Sequence, residues 1–379
     1  MRAPLRAGNR IDLLDSGAAF FPALLAAIES AAEEIFLETY IYAEDATAER
    51  ITHALAAASR RGVKVRIVVD GFGARDMSPR LIALLADAGA APLVYRRPLW
   101  WQPVRGLRRL HRKLAVVDHR VAFVGGINII DDWNTPHEVP PRYDYAVRIA
   151  GPLVADVDAA VWHLWRLISY ASFRRLGPRR PPAAPAPAGD MHARLLIRDN
   201  LAHRRDIEDA YLAALGAARE SVLMAVAYFL PSRRVLQALR DASARGVAVR
   251  VLLQGPSDHR LMKFAAQFLY RRLIDTRVRV FEYHASFLHT KVAVVDLAWS
   301  TVGSSNLDPF SLLLSREANV EILDASFARE LTASLERAMQ AGAREVTGTD
   351  LERRHWVSRF AQWASFRFAR GVVDWLHLG

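Results

Sequence analysis

The pattern HxKxxxxD occurs twice in this chain, and the residues around it are repeated with it. LHRKLAVVDHRVAFVGGIN sets His111, Lys113 and Asp118 ahead of Gly125, Gly126 and Asn128. LHTKVAVVDLAWSTVGSSN sets His289, Lys291 and Asp296 ahead of Gly303, Ser304 and Asn306, each 178 residues after its counterpart. A period this long is that of a duplicated domain rather than of a solenoid repeat, and 379 residues suit two such units. The match carries weight because lysine is rare here. Of 51 basic residues only Lys64, Lys113, Lys263 and Lys291 are lysines, and two of these stand at the same place in the repeat.

The order of elements recurs as well. Strand-like runs IDLL (11–14) and RLLI (194–197) precede apolar helices over 20–32 and 207–218, then strands IFLETYIY (35–42) and VLMAVAYF (222–229). RRGVKVRIVVDG and ARGVAVRVLLQG follow, with Gly62 and Gly246 as helix C-caps before buried strands. Strands alternating with helices predict an α/β layered architecture with a mixed, largely parallel sheet in each half. Between the halves, residues 174–192 combine arginines with a Pro/Ala run that supports neither ladder nor core, so they read as a linker. The expected division is a first domain over 1–173, the linker, a second domain over 193–347 and a basic aromatic segment over 348–379. Equivalent residues of duplicated halves meet near a pseudo-twofold axis, which would bring both motifs into one shared site.

Residues two apart on a strand share a face, so each His and Lys should project together from a platform anchored by LAVV or VAVV. Asp118 and Asp296 end that strand at a hairpin turn and are assigned to turn and salt-bridge support. The small residues before Asn128 and Asn306 permit close backbone approach, and each Asn amide can donate to an anionic oxygen. Further on, RYDYAVRI and REANVEI align Asp144 with Glu317, carboxylates suited to fixing the tautomer of the two imidazoles or, as the alternative, to ordinary surface ion pairs. Two imidazoles, two ammoniums and two carboxamides suit phosphodiester chemistry and require no metal or other cofactor. A zinc site built on His111 and His289 is disfavoured, because the neighbouring lysines would repel the cation.

With no cysteine, the chain excludes disulfides, thiol nucleophiles and iron–sulfur clusters. Its net charge of +11 points to a polyanionic partner, nucleic acid or an acidic membrane surface. No run of about 18 uncharged apolar residues is present, and the first residues do not read as a secretory signal.

The duplicated motif resembles that of the phospholipase D superfamily. GNRIDLLDSGAAFFPALLAAIESA, EEIFLETYIYAED, RRGVKVRIVVDGFG, RRLHRKLAVVD, DYAVRIAGP and GSSNLDPFS are similar to the bacterial cardiolipin synthases, over about residues 8 to 325. That resemblance implies two pseudo-symmetric phospholipase D-like α-β-α sandwich domains packed around one active site, with His111, Lys113, Asp118, His289, Lys291 and Asp296 as the catalytic set. It implies that one histidine attacks the phosphorus of phosphatidylglycerol while the other protonates the departing glycerol; His111, in the N-terminal motif, is taken as the nucleophile and His289 as the acid, and pseudosymmetry allows the exchange of the two. Lys113, Lys291, Asn128 and Asn306 would bind phosphate oxygens. The expected setting is the cytoplasmic leaflet of a bacterial inner membrane, reached peripherally, with no specific nucleic acid partner. Superfamily rivals are a phosphodiesterase acting on phospholipid or nucleic acid and, from another class, a basic adaptor without turnover.

Two segments fit a lipid surface. RRPLWWQPVRGLRRLHRK leads into the first motif with Arg96, Arg97, Trp100 and Trp101, and the first half is six residues longer here than the second, between its capping glycine and its histidine. Aromatic rings favour the interface and arginines the anionic headgroups; a Trp pair buried in an ordinary insertion is the alternative. In the tail, Trp356, Phe360 and Trp363 fall on one helical face. That pattern fits an interfacial amphipathic helix, and equally a helix docked on the core.

Overall fold

A computed structural model describes residues 3–96, 108–173, 179, 182–200, 202–256, 260–308, 311, 314–353 and 356–378, the last seven by backbone alone. The first half contributes β1 (Arg6–Asp15), β2 (Glu34–Thr39), β3 (Lys64–Asp70), β4 (Leu93–Tyr95), β5 (Lys113–Val117), β6 (Val121–Gly125), β7 (Arg142–Tyr143) and β8 (Tyr145–Ala150). The second contributes β9 (Met191–Arg198), β10 (Ser221–Val226), β11 (Ala248–Gln254), β12 (Arg279–Tyr283), β13 (Phe287–Leu288), β14 (Lys291–Val295), β15 (Trp299–Gly303) and β16 (Glu317–Leu323), then adds β17 (Ala343–Val346).

All but β7 and β13 join one 15-stranded sheet, ordered β17-β12-β11-β10-β14-β15-β16-β9-β1-β8-β6-β5-β2-β3-β4. Outward from the centre, β1-β8-β6-β5-β2-β3-β4 is repeated as β9-β16-β15-β14-β10-β11-β12. The duplication is therefore a pseudo-twofold whose axis passes between β1 and β9, which pair antiparallel through Arg6 with Ala193 and Asn9 with Met191. The sheet is mixed, as the sequence predicts, but it is not largely parallel. Parallel pairing is confined to β2–β3–β4 and β10–β11–β12, where helical crossovers connect the strands. The motif strands sit in hairpins, β5–β6 and β14–β15, and hairpins force antiparallel ladders.

Both faces of the sheet are covered, which is why the central strands read as continuous apolar runs. One face of the first half packs against helices Ser16–Ser30, Ala46–Arg60 and Pro79–Asp87. One face of the second packs against helices Asp206–Ala217, Arg233–Ala244 and Arg260–Ile274. The opposite faces share a single core filled by Val161, Leu164 and Trp165 of helix Val154–Ala171 and by Phe327, Leu331 and Leu335 of helix Ala325–Gly342. That common core fixes the halves against each other.

Several boundaries move. The strands expected over 35–42 and 222–229 end at Thr39 and Val226, so Tyr40, Ile41 and Tyr228 belong to loops at the site. Gly62 and Gly246 do cap helices, at φ 95° and 93°. The linker is not a plain spacer. Arg179 docks on the first half, reaching Asp158 and Glu34 at 3.0 Å and lying over Trp162, and β9 begins at Met191, inside the span assigned to it.

Candidate active site

Each motif is built by its own half and finished by the other. His111 is followed by β5 and His289 by β14, and Val116, Val117, Val294 and Val295 bury those strands. The segment ahead of each histidine pairs with the segment ahead of the other half's acid. Leu110 bridges Arg316, with His111 N donating to Arg316 O at 3.0 Å. In mirror fashion β13 pairs parallel with β7, and His289 N donates to Tyr143 O at 2.8 Å. The outcome is a crossed pair: His111 Nδ1 lies 3.0 and 3.1 Å from the Glu317 carboxylate oxygens, and His289 Nδ1 lies 2.6 Å from Asp144 Oδ2. A carboxylate on Nδ1 favours the Nδ1–H tautomer and leaves the Nε2 lone pair available; His289 Nδ1 also lies 2.8 Å from the Lys291 ammonium.

Both histidines line one cleft of about 470 Å³, together with Asn128, Asn306, Arg109 and Arg142. The Asn128 Oδ1 accepts from Ile41 N at 3.0 Å, so its amide hydrogens remain as donors. Lys113 and Lys291 are buried beneath the histidines, and each ammonium donates to the carbonyl of the histidine two residues before it. Lys291 also reaches Asp144 at 3.3 Å, while Lys113 lies 5.5 Å from the Tyr40 ring centre.

Electrostatics follow from burial. Desolvation, reinforced by Lys291, pushes His289 down to about 3. Desolvation also lowers His111, partly opposed by Glu317. The Lys113 ammonium is lowered to about 7, again chiefly by desolvation, and Lys291 is lowered for the same reason. Burial alone would raise Asp144, but Lys291 and His289 hold its carboxyl below the usual range. Burial thus favours neutral imidazoles. An arriving phosphate anion would restore proton affinity to the partner imidazole and to both lysines.

Asp118 and Asp296 lie at the far ends of the motif strands, on paired left-handed residues that turn β5 into β6 and β14 into β15. Their partners are backbone amides rather than the expected salt bridges. Asp118 accepts from Ala32, Glu33 and Glu34 at 2.8–3.0 Å, and Asp296 from Arg219, Glu220 and Ser221 at 2.8 Å. The glycine before Asn128 is required by a close approach, since a Cβ on Gly126 would meet the Asp144 carboxylate at 2.4 Å. Its counterpart Ser304 instead donates to Glu317 at 2.5 Å.

Sequence reasoning missed Asp70 and Gln254, which end the equivalent strands β3 and β11. Asp70 Oδ2 accepts from Leu110 N at 2.7 Å and Gln254 Oε1 from Leu288 N at 2.6 Å, so each fixes the residue before a motif histidine. The signal was present, in the aligned ends of VVDG and LLQG. Among the proposed membrane residues, Arg97, Trp100 and Trp101 lie outside the described residues, and Arg96 is exposed beside Tyr95. Helix Trp356–Leu378 docks on helix Arg260–Ile274 through Gln362, Phe366 and Ala369, yet leaves Trp356, Phe360 and Trp363 exposed.

A doubled α/β half with two carboxylate-held imidazoles facing one cleft defines a class of enzymes that transfer phosphoryl-centred groups through histidine. The family model described as cardiolipin synthase, PLD-like domain matches residues 24–165 and 211–339. Cardiolipin synthase B of Escherichia coli K12 is 39% identical over 99% of this chain and 92% of its own. Cardiolipin synthase A of Pseudomonas putida GB-1 is 32% identical over 93% of this chain and 73% of its own. The crystal structure of phosphatidylserine synthase from Haemophilus influenzae superposes with a TM-score of 0.68 at 14% identity, covering 99% of this chain and 96% of that one, a likeness of fold. This chain belongs to the phospholipase D-like cardiolipin synthase family.

Proposed function

We propose that this protein is a phosphatidyltransferase that joins two phosphatidylglycerol molecules into cardiolipin and releases glycerol. The crossed His111–Glu317 and His289–Asp144 pairs facing one cleft carry the reading. His111 Nε2 attacks the phosphorus of the first lipid, and the departing glycerol oxygen takes a proton from His289 Nε2. A second phosphatidylglycerol then offers its hydroxyl, His289 takes the proton back, and the P–N bond breaks as the new P–O bond forms. Lys113, Lys291 and the amides of Asn128 and Asn306 neutralise and orient the phosphate oxygens. The choice of lipid over nucleic acid rests on the family and its full-length bacterial relatives.

The lipid is reached from the surface of an anionic membrane, on the cytoplasmic leaflet of a bacterial inner membrane. Among the described residues no helix is long and apolar enough to cross a bilayer. The net charge of +11 and the exposed Trp356, Phe360 and Trp363 support peripheral attachment. Purified protein with phosphatidylglycerol vesicles in chelator should yield cardiolipin and free glycerol. Phosphatidic acid alone would mark a hydrolase, and degraded oligonucleotide a nuclease.

A further inference from the structure

Two guanidiniums line the cleft with the motif histidines, and they are not equivalent. Arg142, two residues before Asp144, donates to the carbonyls of Asp131 and Asn134 at 3.1 Å and lies over Phe287. Arg109, two residues before His111, lies 4.4 Å from the Phe72 ring centre. Among the described residues it makes no ion pair, and its buried Nη1 has no hydrogen-bond partner. The nearby Asp70 carboxylate is already engaged by the amides of Phe72, Gly73 and Leu110. In the repeat the counterpart of Arg109 is Phe287 and that of Arg142 is Ser315, so the pseudo-twofold is broken here. A desolvated guanidinium hydrogen without an acceptor is costly unless a ligand supplies one.

Resting on the transferase reading, the second half-reaction needs such a site. The acceptor hydroxyl oxygen bonds to phosphorus, the bond from phosphorus to His111 Nε2 breaks, and the hydroxyl proton passes to His289 Nε2. On that reading the donor phosphate lies between His111 and His289, which face the one cleft. The acceptor carries its own phosphodiester across a three-carbon bridge, five bonds of about 1.5 Å, or roughly 6 Å when extended. Arg109 is two residues from His111, about 6.6 Å along an extended chain. We propose that Arg109 binds the phosphodiester anion of the acceptor lipid, so that the site selects a phosphate-bearing alcohol over water and neutral alcohols. Arg142, held by two carbonyls, keeps to the wall beside His289.

The test is the partition of one phosphatidyl-enzyme between two acceptors. Full-length protein, wild type and Arg109→Gln, is given phosphatidylglycerol vesicles with ethanol, and cardiolipin and phosphatidylethanol are counted together. The ratio of cardiolipin to phosphatidylethanol should fall about ten- to a hundredfold in Arg109→Gln, the worth of one charge-assisted contact, and Arg109→Lys should lie between. Because both products share an intermediate, the ratio is independent of donor binding. An unchanged ratio overturns the assignment. Should the Gln variant not fold, the wild type decides: glycerol phosphate should outcompete glycerol as acceptor at low salt and lose that advantage at high salt, and equal use would refute the subsite. Absence of cardiolipin from wild-type products would sink the transferase reading and the subsite together, and is distinguishable because it appears before any substitution.

Discussion

Glu317, at the start of β16 in the second half, holds the Nδ1 of His111 in the first half at 3.0 Å. Asp144 returns the contact to His289 at 2.6 Å. The exchange arises because β8 and β16 lie next to the central β1 and β9, so the acids at their starts reach across the axis. Neither half supplies both the motif histidine and the carboxylate that holds it.

Glu317→Gln should therefore damage the chemistry of a histidine 206 residues away. An amide can hold the imidazole in the wrong tautomer, so kcat is expected to fall about 10²–10⁴-fold with little change in KM. Turnover on phosphatidylglycerol vesicles, alongside a thermal melt showing an intact fold, checks this; a loss below threefold would rule out the orienting role.

Lys113 sets a pH dependence. Its ammonium is lowered to about 7, chiefly by burial, so in the free enzyme the charged form is lost as pH rises through that value. kcat/KM should decline on the alkaline side of about pH 7 as phosphate binding weakens. Arg is always charged, so Lys113→Arg should move that limb upward while lowering the maximum. Stability runs the other way: between about 7 and the unfolded value near 10.4 the unfolded chain binds more protons, so this group's cost to folding shrinks as pH rises.

Between His111 and Lys113, Arg112 faces the opposite side and forms a buried pair with Glu38, at 2% and 1% exposure. The second half places Thr290 and Ala225 there. Glu38→Gln strands a buried guanidinium and should cost about 3–5 kcal/mol in urea unfolding. The double substitution Glu38→Ala with Arg112→Thr, which copies the second half, should recover part of that loss. Purely additive losses would show that the two side chains do not act as a pair.

Asp118 serves the backbone. Removing the acceptor of three amides in Asp118→Ala should cost about 1–2 kcal/mol, discounted for partial exposure, and Asp118→Asn should restore part of it. Although desolvation opposes it, the amides of Ala32, Glu34 and Glu33 hold the carboxyl below its usual range. The stability gap between wild type and Asp118→Ala should be full above about pH 4 and close as pH falls through the folded-state value. Thermal melts across pH 2–6, a range flanking the ordinary carboxyl value, read it.

What the sequence determined was local or periodic. The spacing of His111, Lys113, Asp118 and Asn128, the capping glycines and the apolar strands follow from residue-to-residue geometry, and the duplication announced a shared site because equal sequences make equal units. The resemblance named the His and Lys pairs expected to be catalytic, and the alignment of Asp144 with Glu317 named the acids that meet the histidines. Which acid serves which histidine was decided only by the tertiary structure, because that contact runs between segments far apart in the chain and depends on the order of strands. The same holds for the hairpin-driven antiparallel ladders, for Asp70 and Gln254 gripping the motif backbone, and for the Arg109 Nη1 that meets no acceptor among the described residues. Periodicity tells a residue which face of its own strand it occupies; only the packing of one half on the other tells it what it meets there.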